Sequence, residues 1–127
     1  MSLESVAQKF VELCNQGKNF EVMETMYAPG IVSIEASGEQ VSGKEPVIEK
    51  SRKWGAVNTV HGEKVRGPYY ATATGAAGRS SGQFAVHFTF EITPKSTGQR
   101  IAMEEIGLYT VENDLITREQ FFFEGVR

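Results

Sequence analysis

The side chains of this chain best suited to moving a proton are Glu35, His61 and His87, and Glu104, Glu105 and Glu119 form a second acidic cluster. Glu35 sits near the end of an apolar run, Ile31–Ala36, that reads as a short strand. Alternation puts Ile31, Ser33 and Glu35 on one side and Val32, Ile34 and Ala36 on the other. The first set is the more polar, as expected for a strand lining a ligand cavity rather than a dry core. A carboxylate in an apolar cavity has a raised pKa and can shuttle protons; the plainer reading is a solvent-facing glutamate at a strand end. His61 and His87 are the only histidines, and each titrates near neutral pH and could act as a catalytic base. His87 shares its strand face with Thr89 and Glu91, which favours surface exposure. The two histidines are far apart and lack an acidic partner at ligand spacing, so no metal and no cofactor are expected. Cys14 falls on the apolar side of a helix, where a buried, inert thiol is the default, and no nearby histidine marks it as a nucleophile. Gly75-Ala76-Ala77-Gly78 lacks the strand-to-helix context and the Lys-Ser/Thr ending of a phosphate loop.

These residues need elements to hold them. Val6, Phe10, Leu13 and Cys14 recur at helical spacing, predicting a helix over Leu3–Gln16 that Gly17 stops. Asn19 can cap a second helix, Phe20–Tyr27, with Val22, Met23 and Met26 inward and Pro29-Gly30 ending it. Ser42-Gly43-Lys44-Glu45 resembles a capping box before a third helix, Glu45–Trp54, which turns Val47, Ile48, Ser51 and Trp54 to one side. The rest is β-rich. Thr59–Tyr70 is a strand that Gly67-Pro68 marks as bulged, bent or at an edge. Ala71–Gly82 is a hairpin loop. Gln83–Thr93 alternates, with Phe84, Val86, Phe88, Phe90 and Ile92 on one face. Arg100–Glu112 and Leu115–Phe123 are strands joined at Asn113-Asp114, a two-residue hairpin turn. Three helices followed by a meander mean an α+β fold with the helices packed into a strongly bent antiparallel sheet. Phe10, Met26 and Trp54 should pack toward its concave side.

The bulk properties narrow the function. The 127 residues fit a single domain, 1–127. The formal net charge is −3 and no Lys/Arg run is present, which argues against nucleic-acid or anionic-membrane partners. No apolar run approaches the roughly 20 residues of a membrane span, and the first twelve residues lack a signal peptide's pattern. The single cysteine forms no internal disulfide and is compatible with a cytoplasmic location. The last three strands carry large apolar residues on both faces, so a homodimer through the sheet is expected.

The order helix, helix, short strand, helix, four long strands resembles the nuclear transport factor 2-like superfamily, a cone-shaped α+β barrel of cystatin-like fold. Within it the chain looks most like the SnoaL-like proteins. The likeness is carried by Phe20–Glu35 (FEVMETMYAPGIVSIE), Val41–Trp54 (VSGKEPVIEKSRKW) and Glu104–Phe123 (EEIGLYTVENDLITREQFFF). It implies a small-molecule pocket, since relatives include isomerases, cyclases, epoxide hydrolases and dehydratases, alongside non-catalytic modules. The resemblance to ketosteroid isomerases places Glu35 where their general base lies. Their oxyanion-hole tyrosine falls on Phe10 and their protonated aspartate near Ile106-Gly107, so both donors are missing. Losing even one such donor costs roughly 10²–10³ in rate, which argues against steroid isomerisation.

If Asn113-Asp114 alone sets the last hairpin's register, Glu104 faces Phe123, Ile106 faces Phe121 and Leu108 faces Glu119. Glu105 then lies on the other face with Gly107 and Tyr109. The epoxide hydrolases resembled here carry an acid at the position of Phe121, which points the Glu104/Glu119/Phe121 face into the cavity. Phe121 is not acidic, so their water-activating carboxylate is absent; Glu104 and Glu119 would orient a polar ligand or stand as a solvated rim. A one-residue slip would reverse the faces. Tyr27, Trp54, Phe121 and Phe123 are candidate cavity walls or simply core. The expectation is a SnoaL-like protein binding a small apolar or amphipathic molecule, as an enzyme of proton-transfer, cyclisation or hydration type with Glu35 as base. The alternative is a non-catalytic binding or dimerisation module. An apolar, closed cavity holding Glu35 with a hydrogen-bond donor opposite favours the first, and one filled by Phe and Trp the second.

Overall fold

The computed structural model describes residues 2–71 and 80–124. Its helices are α1 (Leu3–Asn15), α2 (Asn19–Met26) and α3 (Lys44–Val57). Its strands are β1 (Tyr27–Ile34), β2 (Gln40–Ser42), β3 (Asn58–Tyr70), β4 (Gly82–Pro94), β5 (Ile101–Glu112) and β6 (Leu115–Phe122). Three helices pack against one six-stranded sheet of order β2-β1-β6-β5-β4-β3. The sheet is mixed rather than antiparallel throughout, because β1 runs parallel to β6. It is also an open sheet, not a closed barrel: β2 and β3 are its edges. Residues 72–79, most of the expected hairpin loop with its Gly75–Gly78 run, lie outside the described residues.

Local chemistry explains the boundaries. Ser2 caps α1, its hydroxyl accepting from the Ser5 backbone while the Ser5 hydroxyl accepts from the Ser2 backbone. Gly17 ends the helix at φ +75°, a conformation that favours glycine. The expected caps of the other two helices are different in the structure. Helix α2 begins at Asn19 itself, which leaves the Asn19 side chain for a long-range bond. Gly43, at φ +97°, opens α3, and Ser42 is the last residue of β2. Pro29-Gly30 does not separate α2 from a strand; it lies inside β1, where the pairing with β6 shifts register between Tyr27 and Val32. The Gly67-Pro68 signal is met by an edge strand whose register shifts between Arg66 and Tyr69.

The core fills the concave side, built from Val6, Phe10, Leu13 and Cys14 of α1, Val22 and Met26 of α2, Val47 of α3, and Phe84, Val86, Phe88, Tyr109 and Ile116 of the sheet. Phe10 packs edge-on to Phe84 at 5.5 Å and against Tyr109 at 4.5 Å. Asn15 clamps the end of α1 to edge strand β3. Its Nδ2 donates to the Val65 carbonyl at 3.0 Å and its Oδ1 accepts from the Val65 N–H at 2.9 Å. At Gly107 an added Cβ would stand 2.8 Å from the Tyr109 ring and 2.9 Å from the Phe88 ring, so the bare glycine lets both rings close over β5.

The last hairpin decides what faces the cavity. Asn113 and Asp114 have φ of 50° and 68°, a two-residue turn, and Glu112 pairs with Leu115 as expected. A register shift then intervenes between Thr110 and Val111, leaving Thr117 as an extra residue in β6. Beyond it Tyr109 pairs with Glu119, Gly107 with Phe121 and Ile106 with Phe122. The one-residue slip reverses the expected face: Glu105, Gly107 and Tyr109 share the concave side with Glu119 and Phe121, and Glu104 turns outward.

Candidate functional site

Helices and concave sheet enclose a cavity of about 580 Å³. Its walls are largely aromatic and sulfur-bearing, among them Phe88, Phe90, Trp54, Tyr109, Phe121 and Met103. One cluster of its polar groups lies where β1, β6 and α3 meet. Alternation along β1 aims Ser33 and Glu35 inward, β6 contributes Glu119, and α3 contributes Lys50 one turn before Trp54.

Glu119 is the innermost of these, 3% exposed. The Tyr27 hydroxyl donates to its Oε1, and the Ser33 hydroxyl donates to its Oε2 at 2.6 Å. Lys50 Nζ donates to Ser33 Oγ at 2.5 Å, pairs with Glu35 Oε1 at 2.7 Å, and lies 4.0 Å from Glu119 Oε2. The same ammonium sits 5.7 Å from the centre of the Phe121 ring. Burial pushes the Glu119 carboxyl above its ordinary range, and the Ser33, Tyr27 and Lys50 contacts offset only part of that. Burial likewise pushes the Tyr27 and Tyr109 hydroxyls well up, with Glu119 reinforcing both, so both stay protonated as donors. Cys14 also borders the cavity, its thiol held neutral chiefly by burial, consistent with an inert sulfur.

The structure therefore brings Glu35, Tyr27, Trp54, His61, Glu119 and Phe121 to one cavity. His61 stands at its β3 side with Nε2 2.7 Å from Thr93 Oγ1. His87, Glu104 and Phe123 are not among the residues that line it. His87 pairs with Glu104 at 3.0 Å on the opposite face, and Phe123 lies just past the end of β6. Lys50 gives Glu35 a cationic partner, and the carboxyl buried in the cavity is Glu119. Lys50, Ser33 and Glu63 were not singled out as site residues by sequence reasoning, and Glu105 was placed on the face away from the cavity. Ser33 was already on the polar side of β1. Lys50 was readable as one helical turn before Trp54. Glu105 was hidden by the bulge at Thr117. Among the described residues no group of acids, histidines or cysteines is arranged to hold a metal ion, and no helix is long and apolar enough to cross a membrane.

The SnoaL-like domain family matches residues 1–123. A proposed SnoaL-like polyketide cyclase from Mesorhizobium loti is 40% identical, with a TM-score of 0.85 over 97% of this chain and 100% of that one. This chain belongs to the SnoaL-like family. More distant structures share the fold. A proposed polyketide cyclase from Pseudomonas putida is 15% identical, with a TM-score of 0.67 over 98% of this chain and 92% of that one. A nuclear transport factor 2-like protein from Cytophaga hutchinsonii is 14% identical, with a TM-score of 0.68 over 95% and 98%. No curated protein matches the chain. Within the SnoaL-like fold, then, this member carries Lys50 between two carboxyl groups, one on the cavity wall and one buried behind it.

Proposed function

We propose that this SnoaL-like protein binds a small apolar or amphipathic molecule in the concave cavity and catalyses proton transfer at carbon, with Glu35 as the base. The observation that carries the reading is the Lys50 bridge. Of the three ammonium N–H groups, Glu35 takes one and Ser33 another, which leaves one for a ligand oxygen. A ketone bound with its oxygen on Lys50 and its α-carbon at Glu35 would lose a proton to the Glu35 carboxylate. The C–H electron pair moves onto the carbonyl oxygen, where the ammonium stabilises it. Lys50 thus supplies the donor that Phe10 and Gly107 cannot. In a ketone with a β,γ double bond, return of the proton to the γ-carbon completes an isomerisation; attack of the enolate carbon on a second carbonyl of the same molecule, with the Glu35 proton passing to the new alkoxide, completes a cyclisation. Glu119 positions the pair through Ser33. A cavity that holds Glu35 beside the Lys50 donor, rather than one plugged by Phe and Trp, supports this reading over a non-catalytic binding or dimerisation module.

The assembly we propose is a homodimer through the convex sheet face, and the proposed location is the cytoplasm, where a single buried thiol needs no oxidising environment. The catalytic reading is tested by deuterium uptake from D₂O into phenylbutanone, followed by proton NMR. The wild type should exchange the α-protons well above buffer, and Glu35→Gln should lower the rate by roughly 10²–10⁴, the usual contribution of a catalytic base. No exchange above buffer, or full exchange by Glu35→Gln, overturns it.

A further inference from the structure

The far side of the cavity carries a second polar feature that the proton-transfer reading does not use. Glu63 lies on β3 directly opposite Phe90 on β4, a cross-strand pair whose side chains are neighbours. The Phe90 ring in turn packs against Trp54 of α3, with ring centres 5.7 Å apart and planes at 58°. Glu63, Phe90 and Trp54 all line the cavity. Asn19 Nδ2 donates to Glu63 Oε2 at 2.8 Å, which holds the carboxylate in place without neutralising it. Among the described residues no Lys or Arg lies within ion-pair distance of Glu63. Lys50, the one Lys or Arg lining the cavity, is engaged by Glu35 and Ser33.

A half-buried carboxylate without a cation is costly, and burial raises the Glu63 carboxyl above its ordinary value. The faces of two aromatic rings beside it carry negative potential as well. An ammonium group satisfies all three at once, by a charge-assisted hydrogen bond to the carboxylate and cation–π contact with the rings. A hydroxyl gains only the hydrogen bond, and a ligand carboxylate is repelled. We propose that Glu63, Phe90 and Trp54 form a recognition subsite for the ammonium group of an amine-bearing apolar ligand. The assignment rests on the cavity being a ligand site and adds the substrate class. In the sheet β3 lies three positions from β6, about 14 Å along the sheet at the usual strand spacing. Glu63 on β3 therefore stands apart from Glu119 on β6, and the apolar body of the ligand runs between them along Phe88 and Tyr109.

Trp54 is the sole tryptophan, so its fluorescence reports occupancy directly, and calorimetry gives the affinities. Phenylbutylamine, phenylbutanol and phenylbutyrate are titrated into the wild type and into Glu63→Gln. The amine should bind the wild type roughly tenfold more tightly than the alcohol, with the acid weakest. Glu63→Gln should erase the amine's advantage and leave the alcohol's affinity unchanged. An alcohol that binds the wild type as tightly as the amine, or an amine preference that survives in Glu63→Gln, overturns the ammonium subsite while leaving the cavity reading intact. Failure of all three probes to bind overturns both.

Discussion

At the scale of single residues, the site is an arrangement for keeping one carboxyl buried and another ready. Glu119 takes its high proton affinity from burial, and the hydroxyls of Tyr27 and Ser33 make that burial tolerable. This ties stability to pH. A carboxyl whose folded pKa is raised contributes fully below the unfolded value of 4.5, and that contribution is lost as pH rises through the folded value. Glutamine mimics the protonated acid at every pH. The wild type should therefore lose stability relative to Glu119→Gln as pH rises above the ordinary glutamate value of 4.5, read from urea midpoints; a constant difference would contradict the burial argument. Lys50→Met removes the ammonium that bridges Glu35 and Ser33. It should cost about 1 kcal/mol in the same unfolding experiment, since the pair is partly solvated. It should also suppress α-proton exchange as fully as Glu35→Gln does.

At the scale of elements, the helices, the long strands and the turn at Asn113-Asp114 were legible because their signals are local: periodicity, glycine stops and turn chemistry. What was not legible depends on pairing. The parallel contact of β1 with β6 joins segments more than eighty residues apart. The extra residue at Thr117 turns Glu105 inward and Glu104 outward, although the turn itself was read correctly. Glu35, Tyr27, Trp54 and Phe121 were found from β1 alternation, helical spacing and resemblance. Lys50 was passed over because a lysine on a helix is ordinarily a solvated one. The tight closure of Tyr109 and Phe88 over Gly107 yields a sharp expectation. Gly107→Ala should destabilise the fold by about 1–3 kcal/mol, because neither buried ring can retreat. A change under about 0.5 kcal/mol in denaturant would show that the strand relaxes freely.

At the scale of the whole molecule, the sheet divides the labour. Its concave face holds the cavity. Its convex face presents Ile106 (41% exposed) directly opposite Phe122 (50% exposed) on neighbouring strands. Such a pair in the middle of a sheet is poorly placed in water, and the proposed dimer would cover it. Light scattering should give a dimer, burying on the order of 1,200–2,000 Å² in total. Phe122→Glu should return it to monomer without unfolding it. A monomeric mass for the wild type at high micromolar concentration would remove the dimer.

The central claim is that the cavity holds a buried acid beside a lysine-bridged base, and the most direct test is carboxyl NMR. In protein labelled at the glutamate side-chain carboxyl carbon, Glu119 is assigned by its loss in Glu119→Gln. The account predicts a Glu119 titration midpoint above the ordinary glutamate value, and a change in that midpoint when phenylbutanone is added. A midpoint at or below the ordinary value, indifferent to the ketone, would contradict it.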